Sequence, residues 1–161
     1  MENFIKSIED LFMHGSINTA RRSIDECLKD DIFYYNVDTL LLASQIYLGV
    51  NFSAALRFAS SAYECSLDDT DIYESLSYKS AIYAFIGGKI ETDVKQFSRS
   101  NDVMAGELEE ELKSALKNYE SSRNCLLEML DYNSKDRDVL SDSRQVNKCI
   151  RRVKLKLVKL N

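Results

Sequence analysis

A repeat of 34 residues is the feature that most constrains how this chain can fold. Three positions recur at this interval, a glycine, then an alanine, then a large apolar residue: Gly15, Ala20 and Ile24 in the first copy, Gly49, Ala54 and Phe58 in the second. Two helices that cross closely need a small residue at the crossing, and an apolar side chain one turn later fills the space beside it. The repeat therefore predicts a series of helix–turn–helix units.

Composition agrees with a helical protein of one domain. The chain has 161 residues, which is about the size of a single domain. It contains no proline and only five glycines, and because these two residues are the main helix breakers, long helices are expected.

The sequence also bears on where the protein resides. No apolar run approaches the ~18 residues that a membrane helix needs, and the first ten residues lack the apolar core of a secretory signal. The four cysteines are far apart and form no CxxC pair. They are interpreted as reduced, buried residues. The protein is therefore expected to be intracellular, cytoplasmic or nuclear. Because it lacks a long apolar run, it is not expected to bind membranes.

Apolar spacing predicts an ordered set of helices and repeats. Helices are expected over about 2–14, 18–28, 36–48, 53–65 and 72–86, then from about residue 108, and finally over 135–160. These helices group into repeats 1–34, 35–69 and 70–130, followed by a capping helix over 135–160. The predicted fold is an all-α right-handed solenoid of about three helical pairs plus this capping helix, in one domain.

Particular residues are expected to begin or end these helices. Gly15 supplies the left-handed conformation that ends the first helix, and Ser53 is a candidate N-cap of the fourth. Gly87 and Gly88 are expected to end the fifth helix. The polar stretch 89–107 that follows predicts a loop inserted in the third repeat, and its composition favours disorder over a functional loop.

Charge is distributed unevenly along the chain. Residues 143–161 hold seven basic residues and no acid, so that 1–142 carries 14 basic and 26 acidic residues, a net charge of −12. Arg151, Arg152 and Lys156 are candidate partner-binding residues in this basic segment. Their alternation with apolar residues favours a solvated face of a helix over a nucleic-acid site, since the acidic remainder would repel phosphates. The sequence therefore does not predict nucleic acid as a partner.

No combination of residues predicts catalysis. His14 is the only histidine, and its place before a helix-ending glycine favours a capping role over a catalytic one. The cysteine spacing disfavours a metal site, and no glycine-rich phosphate loop is present. The sequence predicts a protein that is not an enzyme and has no cofactor.

Aromatic residues are abundant in the first half of the chain. Most are expected in the core, but Tyr34, Tyr35 and Tyr73 lie off the clearest core stripes and are candidate interface residues. Because this aromatic surplus exceeds what a thin solenoid can cover, we expect a homodimer anchored by these tyrosines. Pairing of the acidic body with the basic last helix across two chains is the alternative mode of dimerisation.

Over residues 1–130 the chain resembles the tetratricopeptide (TPR) superfamily. Positions that match the helix-packing pattern of that family are Gly15, Ala20, Ile24 and Cys27 in the first repeat, Gly49, Ala54 or Ala55, Phe58 and Ala62 in the second, and Ala115, Tyr119 and Ser122 in the third. The proline usual between repeats is missing. The Lys and Asn that grip a chaperone's C-terminal carboxylate are also missing, and Ile5, Glu9 and Ser44 stand on the corresponding face.

The stretch 36–58 is similar to N-terminal TPR repeats of anaphase-promoting complex scaffold subunits. The layout also resembles the TPR domain of the fungal Skp-binding chaperone adaptor. Both resemblances imply a self-associating scaffold that binds partner helices or peptides, within a ubiquitin-ligase or cell-cycle assembly. A chaperone adaptor is one alternative. A nucleic-acid or membrane-surface binder that uses the basic last helix is another.

Overall fold

The protein is all-α. A computed structural model describes residues 2–97 and 105–160, and over these residues it consists of eight helices without a strand: α1 (Glu2–Met13), α2 (Ile17–Cys27), α3 (Asp31–Tyr34), α4 (Val37–Leu48), α5 (Phe52–Cys65), α6 (Asp69–Phe97), α7 (Ala105–Tyr132) and α8 (Arg137–Leu160). The predicted helical class is confirmed. Within the described ranges, none of the helices combines the length and the apolar character needed to cross a membrane.

The turn after α1 has the geometry that the sequence predicts. Gly15 adopts a φ of +80°, in the left-handed region. Its N–H donates to the Phe12 carbonyl at 3.0 Å and the N–H of Ser16 donates to the Leu11 carbonyl at 2.9 Å, which is the Schellman arrangement. The His14 Nδ1–H donates to the Asp10 carbonyl at 2.7 Å, so that this histidine has the predicted capping role.

The chain divides into two compact units, Met1–Tyr78 (unit 1) and Lys79–Asn161 (unit 2). In unit 1, α1 packs on α2 and α4 packs on α5. The predicted packing residues Ala20, Ile24, Ala55 and Ala62 are fully buried, and Phe58 is 8% exposed and contacts the ring of Tyr47. Small side chains thus bring these helices together while larger apolar residues fill the core beside them.

Polar residues fix the helix ends of unit 1. Asn36 accepts from the Thr39 N–H at 2.9 Å, and Asn51 accepts from the Ala54 N–H at 3.0 Å. The prediction of Ser53 as the cap of this helix is therefore wrong, because Asn51 caps α5 and Ser53 is an exposed residue inside it. The one-turn helix α3 was not predicted. It forms because Asp30 caps it by accepting from the Ile32 N–H at 3.0 Å.

Helix α6 continues through the glycine pair that was predicted to end it. The loop predicted over 89–107 is wrong for residues 89–97 and 105–107, because these residues are helical. The rest of the predicted loop, 98–104, lies outside the described residues. A Cβ on Gly87 would lie 3.1 Å from Cε1 of Tyr119 and 3.2 Å from the Ala115 carbonyl oxygen. This glycine therefore serves the close approach of α6 to α7, not helix termination.

The glycines of the 34-residue repeat do not lie at helix crossings. Gly15 and Gly49 are exposed, and a Cβ on either would meet nothing within 4 Å. They end α1 and α4, so their predicted role in close helix packing is wrong. In unit 2 the predicted packing residues Ala115 and Tyr119 are buried in α7, at 0% and 4% exposure.

Candidate functional site

A groove in unit 1 lies between α1, α4 and the first part of α6. It has a volume of about 420 Å³, and its lining comprises three apolar, three acidic, one basic and three uncharged polar residues: Ile5, Leu41 and Leu42; Glu9, Asp38 and Glu74; Lys6; and Asn36, Gln45 and Tyr78. A concave site of this size accommodates a few side chains of a partner.

The groove has an apolar floor and an acidic rim. Leu41 and Leu42 are 3% and 7% exposed and belong to the core, so that they form the bottom of the groove. Glu9, Asp38 and Glu74 are exposed at its edge, each from a different helix. With Lys6 as the single base, the lining carries a formal charge of −2.

The acids on the rim influence each other electrostatically. Although Glu74 is exposed, its partial desolvation by neighbouring atoms raises its pKa, and the charges of Asp38 and Asp71 raise it further. Burial also raises the pKa of Tyr78, whose hydroxyl accepts a hydrogen bond from Nε2 of Gln45, and the charges of Glu74 and Glu9 add to that rise. Because the carboxylates repel each other, a cation bound among them would be stabilised.

Sequence reasoning missed this groove, although α4 carries a signal for it. Leu40, Leu41 and Leu42 are consecutive and all buried, so apolar residues cover more than one face of α4. A helix that is apolar over several faces has more than one surface to cover. The Leu41–Leu42 pair could have been singled out on this ground.

The predicted interface tyrosines lie outside this groove. Tyr34 and Tyr35 are 41% and 65% exposed, and their rings form a T-shaped pair with centroids 5.4 Å apart. Both lie at the end of α3, whereas Tyr73 is half-buried in α6. The structure thus brings Tyr34 and Tyr35 together as an exposed aromatic pair.

Two of the predicted partner-binding cations are held by a buried carboxylate in unit 2. Glu91 is 7% exposed. Arg152 donates to it through Nε and Nη2, Lys156 donates at 2.6 Å, and the Tyr119 hydroxyl donates at 3.2 Å. Burial by itself would raise the pKa of Glu91, but the hydrogen bonds from Arg152 and Lys156 outweigh it and lower that pKa to about 2. Arg152 and Lys156 therefore have a structural role.

A basic stripe on α8 is exposed beside this buried cluster. We define it as Lys148, Arg151, Leu155 and Lys159, which with Arg152 and Lys156 line a shallow depression of about 480 Å³. The spacing places the stripe on one face of the helix. Leu155 is 64% exposed, and Arg151 makes no ion pair with any residue in 2–97 or 105–160. Arg151 thus remains a candidate partner-binding residue.

The described parts of the chain hold no group of three His, Cys, Asp or Glu side chains placed to bind a metal ion. Burial raises the pKa of the Cys27 thiol, and the charge of Asp30 raises it further, while burial raises that of Cys125. Both thiols are thus kept protonated. Comparison with protein-family models, with curated proteins and with solved structures finds no match to this chain.

Proposed function

We propose that this protein is a non-catalytic, TPR-like interaction module that binds a basic helix or peptide in the groove of unit 1. The observation that carries the proposal is the combination of an apolar floor with three rim carboxylates, from Glu9, Asp38 and Glu74. A partner helix with one apolar side chain between Lys or Arg residues is complementary to this surface.

The order of the helices around the groove supports this proposal. Its lining comes from α1, α4 and α6, and apart from the one-turn helix α3 these alternate along the chain with α2 and α5. In a solenoid of helical pairs, the first helices of successive pairs lie side by side and form an extended binding surface. A groove lined by every first helix is what such an array would use to bind a peptide.

The charge of the groove selects the class of partner. A chaperone adaptor of the TPR type binds a C-terminal carboxylate, which the acidic rim would repel. A peptide rich in Lys or Arg would instead gain three opposite charges. The proposed partner is therefore a basic segment of a second polypeptide chain, not a carboxylate-terminated tail.

The test is a binding titration with a designed probe. The probe is a labelled helical peptide of Ala, Leu and Lys with two leucines beside a stripe of lysines, and the control peptide has Glu in place of every Lys. Fluorescence anisotropy should show binding of the Lys peptide alone. Glu74→Lys should weaken that binding at least tenfold, which corresponds to about 1.4 kcal/mol.

A matched variant separates the groove from the general acidity of unit 1. Glu64 is an exposed acid of α5 outside the groove, so Glu64→Lys changes the net charge equally and should leave the affinity within about twofold. Equal weakening by both variants, or equal binding of both peptides, would overturn the proposal.

A further inference from the structure

We propose that the groove of unit 1 binds the basic stripe of α8 from a second copy of this chain. Leu155 would contact the Leu41–Leu42 floor, and Arg151 and Lys159 would reach carboxylates on the rim. This inference rests on the proposed function of the groove and names its occupant.

The charges of the two units are opposite. Residues 1–78 contain 5 Lys and Arg against 13 Asp and Glu, a net charge of −8, while residues 79–161 contain 16 against 13, a net charge of +3. Like units of two copies repel each other and unlike units attract. Association between copies is therefore favoured when unit 1 of one copy meets unit 2 of the other.

The stripe and the groove have matching patterns. In the stripe, one apolar side chain lies between cations. In the groove, an apolar floor lies between three carboxylates. Arg151 and Lys159 are separated by about 12 Å along the helix, with Leu155 midway between them. Leu155 is 64% exposed, so a partner surface with an apolar floor would remove its side chain from water.

Ion pairs inside unit 2 determine which basic side chains of α8 are free to contact a second copy. Arg152 and Lys156 bind Glu91, and Lys154 lies 3.1 Å from Glu120. Lys148 and Lys159, like Arg151, form no ion pair among the residues that the structure describes. Of the six basic residues in 148–159, the three without a carboxylate among the described residues are Lys148, Arg151 and Lys159, and they lie on the face that carries Leu155.

The experiment is sedimentation velocity on the full chain at low and high salt. We expect a dimer at low salt that dissociates as salt screens the contact. Glu74→Lys and Arg151→Glu should each give a monomer. A mixture of the two variants should associate again, because every groove then meets a stripe of opposite charge. Lys117→Glu changes an exposed residue of α7 away from the stripe and is the matched control, which should remain dimeric.

The outcomes separate this inference from the proposed function. A chain that is monomeric at every salt concentration but still binds the Lys peptide overturns the inference and leaves the proposed function in place. A dimer that is lost with Tyr35→Ser and kept with Glu74→Lys also overturns it, because the aromatic pair is then the interface. Recovery of association only in the mixed sample supports the inference.

Discussion

Arg152 donates two hydrogen bonds to the carboxylate of Glu91, from Nε at 2.7 Å and from Nη2 at 2.6 Å, across 61 residues of chain. This contact joins the last turns of α6 to α8, and Lys156 and Tyr119 complete it. Because two planar groups meet in a bidentate arrangement, the contact fixes orientation as well as distance. It positions the helix that carries the basic stripe.

We expect Glu91→Ala to reduce the stability of unit 2 by about 2–4 kcal/mol, because it leaves Arg152 and Tyr119 without their acceptor. Urea denaturation measures this change. Glu120→Ala is the control: its pair with Lys154 is exposed, and its loss should cost less than about 1 kcal/mol. Equal destabilisation by both variants would contradict a structural role for Glu91.

Stability should fall in acid, since Glu91 has a folded-state pKa of about 2 against an ordinary value of 4.5. The stabilisation is fully present above pH 4.5 and is lost as the pH falls toward 2. Its size is about 3 kcal/mol. Glu91→Gln lacks this titration, so the stability difference between wild type and this variant should shrink from pH 5 to pH 2. A difference that is constant with pH would contradict the assignment.

Substitutions at the two adjacent glycines of α6, Gly87 and Gly88, should have opposite effects on stability. A side chain on Gly87 would press on the buried ring of Tyr119 and on the Ala115 carbonyl, so Gly87→Val should cost about 1–3 kcal/mol. A Cβ on Gly88 meets only the Tyr119 hydroxyl, at 3.6 Å, an ordinary contact. Gly88→Ala should therefore stabilise the helix by about 0.5–1 kcal/mol. Thermal unfolding of both variants tests this prediction. A shift of the melting temperature in the same direction for both variants would contradict the close approach of α6 to α7 at Gly87.

Arginine at the small core positions should unfold unit 1. Ala20 and Ala55 are fully buried, so Ala20→Arg or Ala55→Arg forces a charge into a close helix contact at a cost of several kcal/mol. Circular dichroism should show loss of helix and of the cooperative transition. Ser53→Arg, on the exposed side of the same helix as Ala55, should melt like wild type. A wild-type melting temperature for either alanine variant would contradict the packing.

Local patterns predicted much of the fold. Apolar spacing located most of the helices within a few residues, and Gly15 ends α1 as its conformational freedom predicts. The expectation that a glycine ends a helix was wrong at Gly87. A glycine can end a helix or permit another helix to pack closely, and here the close packing against Tyr119, 32 residues away, decides its role. A contact of that kind cannot be identified from the residues around the glycine.

The candidate site was less predictable for a related reason. The sequence located the basic segment, but the structure divides its cations between Glu91 and the surface. Glu91 can bind Arg152 and Lys156 because residues 89–97 are helical, whereas the polarity of these residues predicted a loop. The acidic groove depends on three helices that bring Glu9, Asp38 and Glu74 together, which no single stretch of sequence encodes.

The most direct test of the central claim is a methyl NMR titration of the full chain with the Lys peptide. Binding in the groove predicts that the largest shifts occur at the methyl groups of Ile5, Leu41 and Leu42, which line it. Glu74→Lys should abolish these shifts. Shifts that concentrate on other residues, or that persist in Glu74→Lys, would contradict the claim that this groove is the binding site.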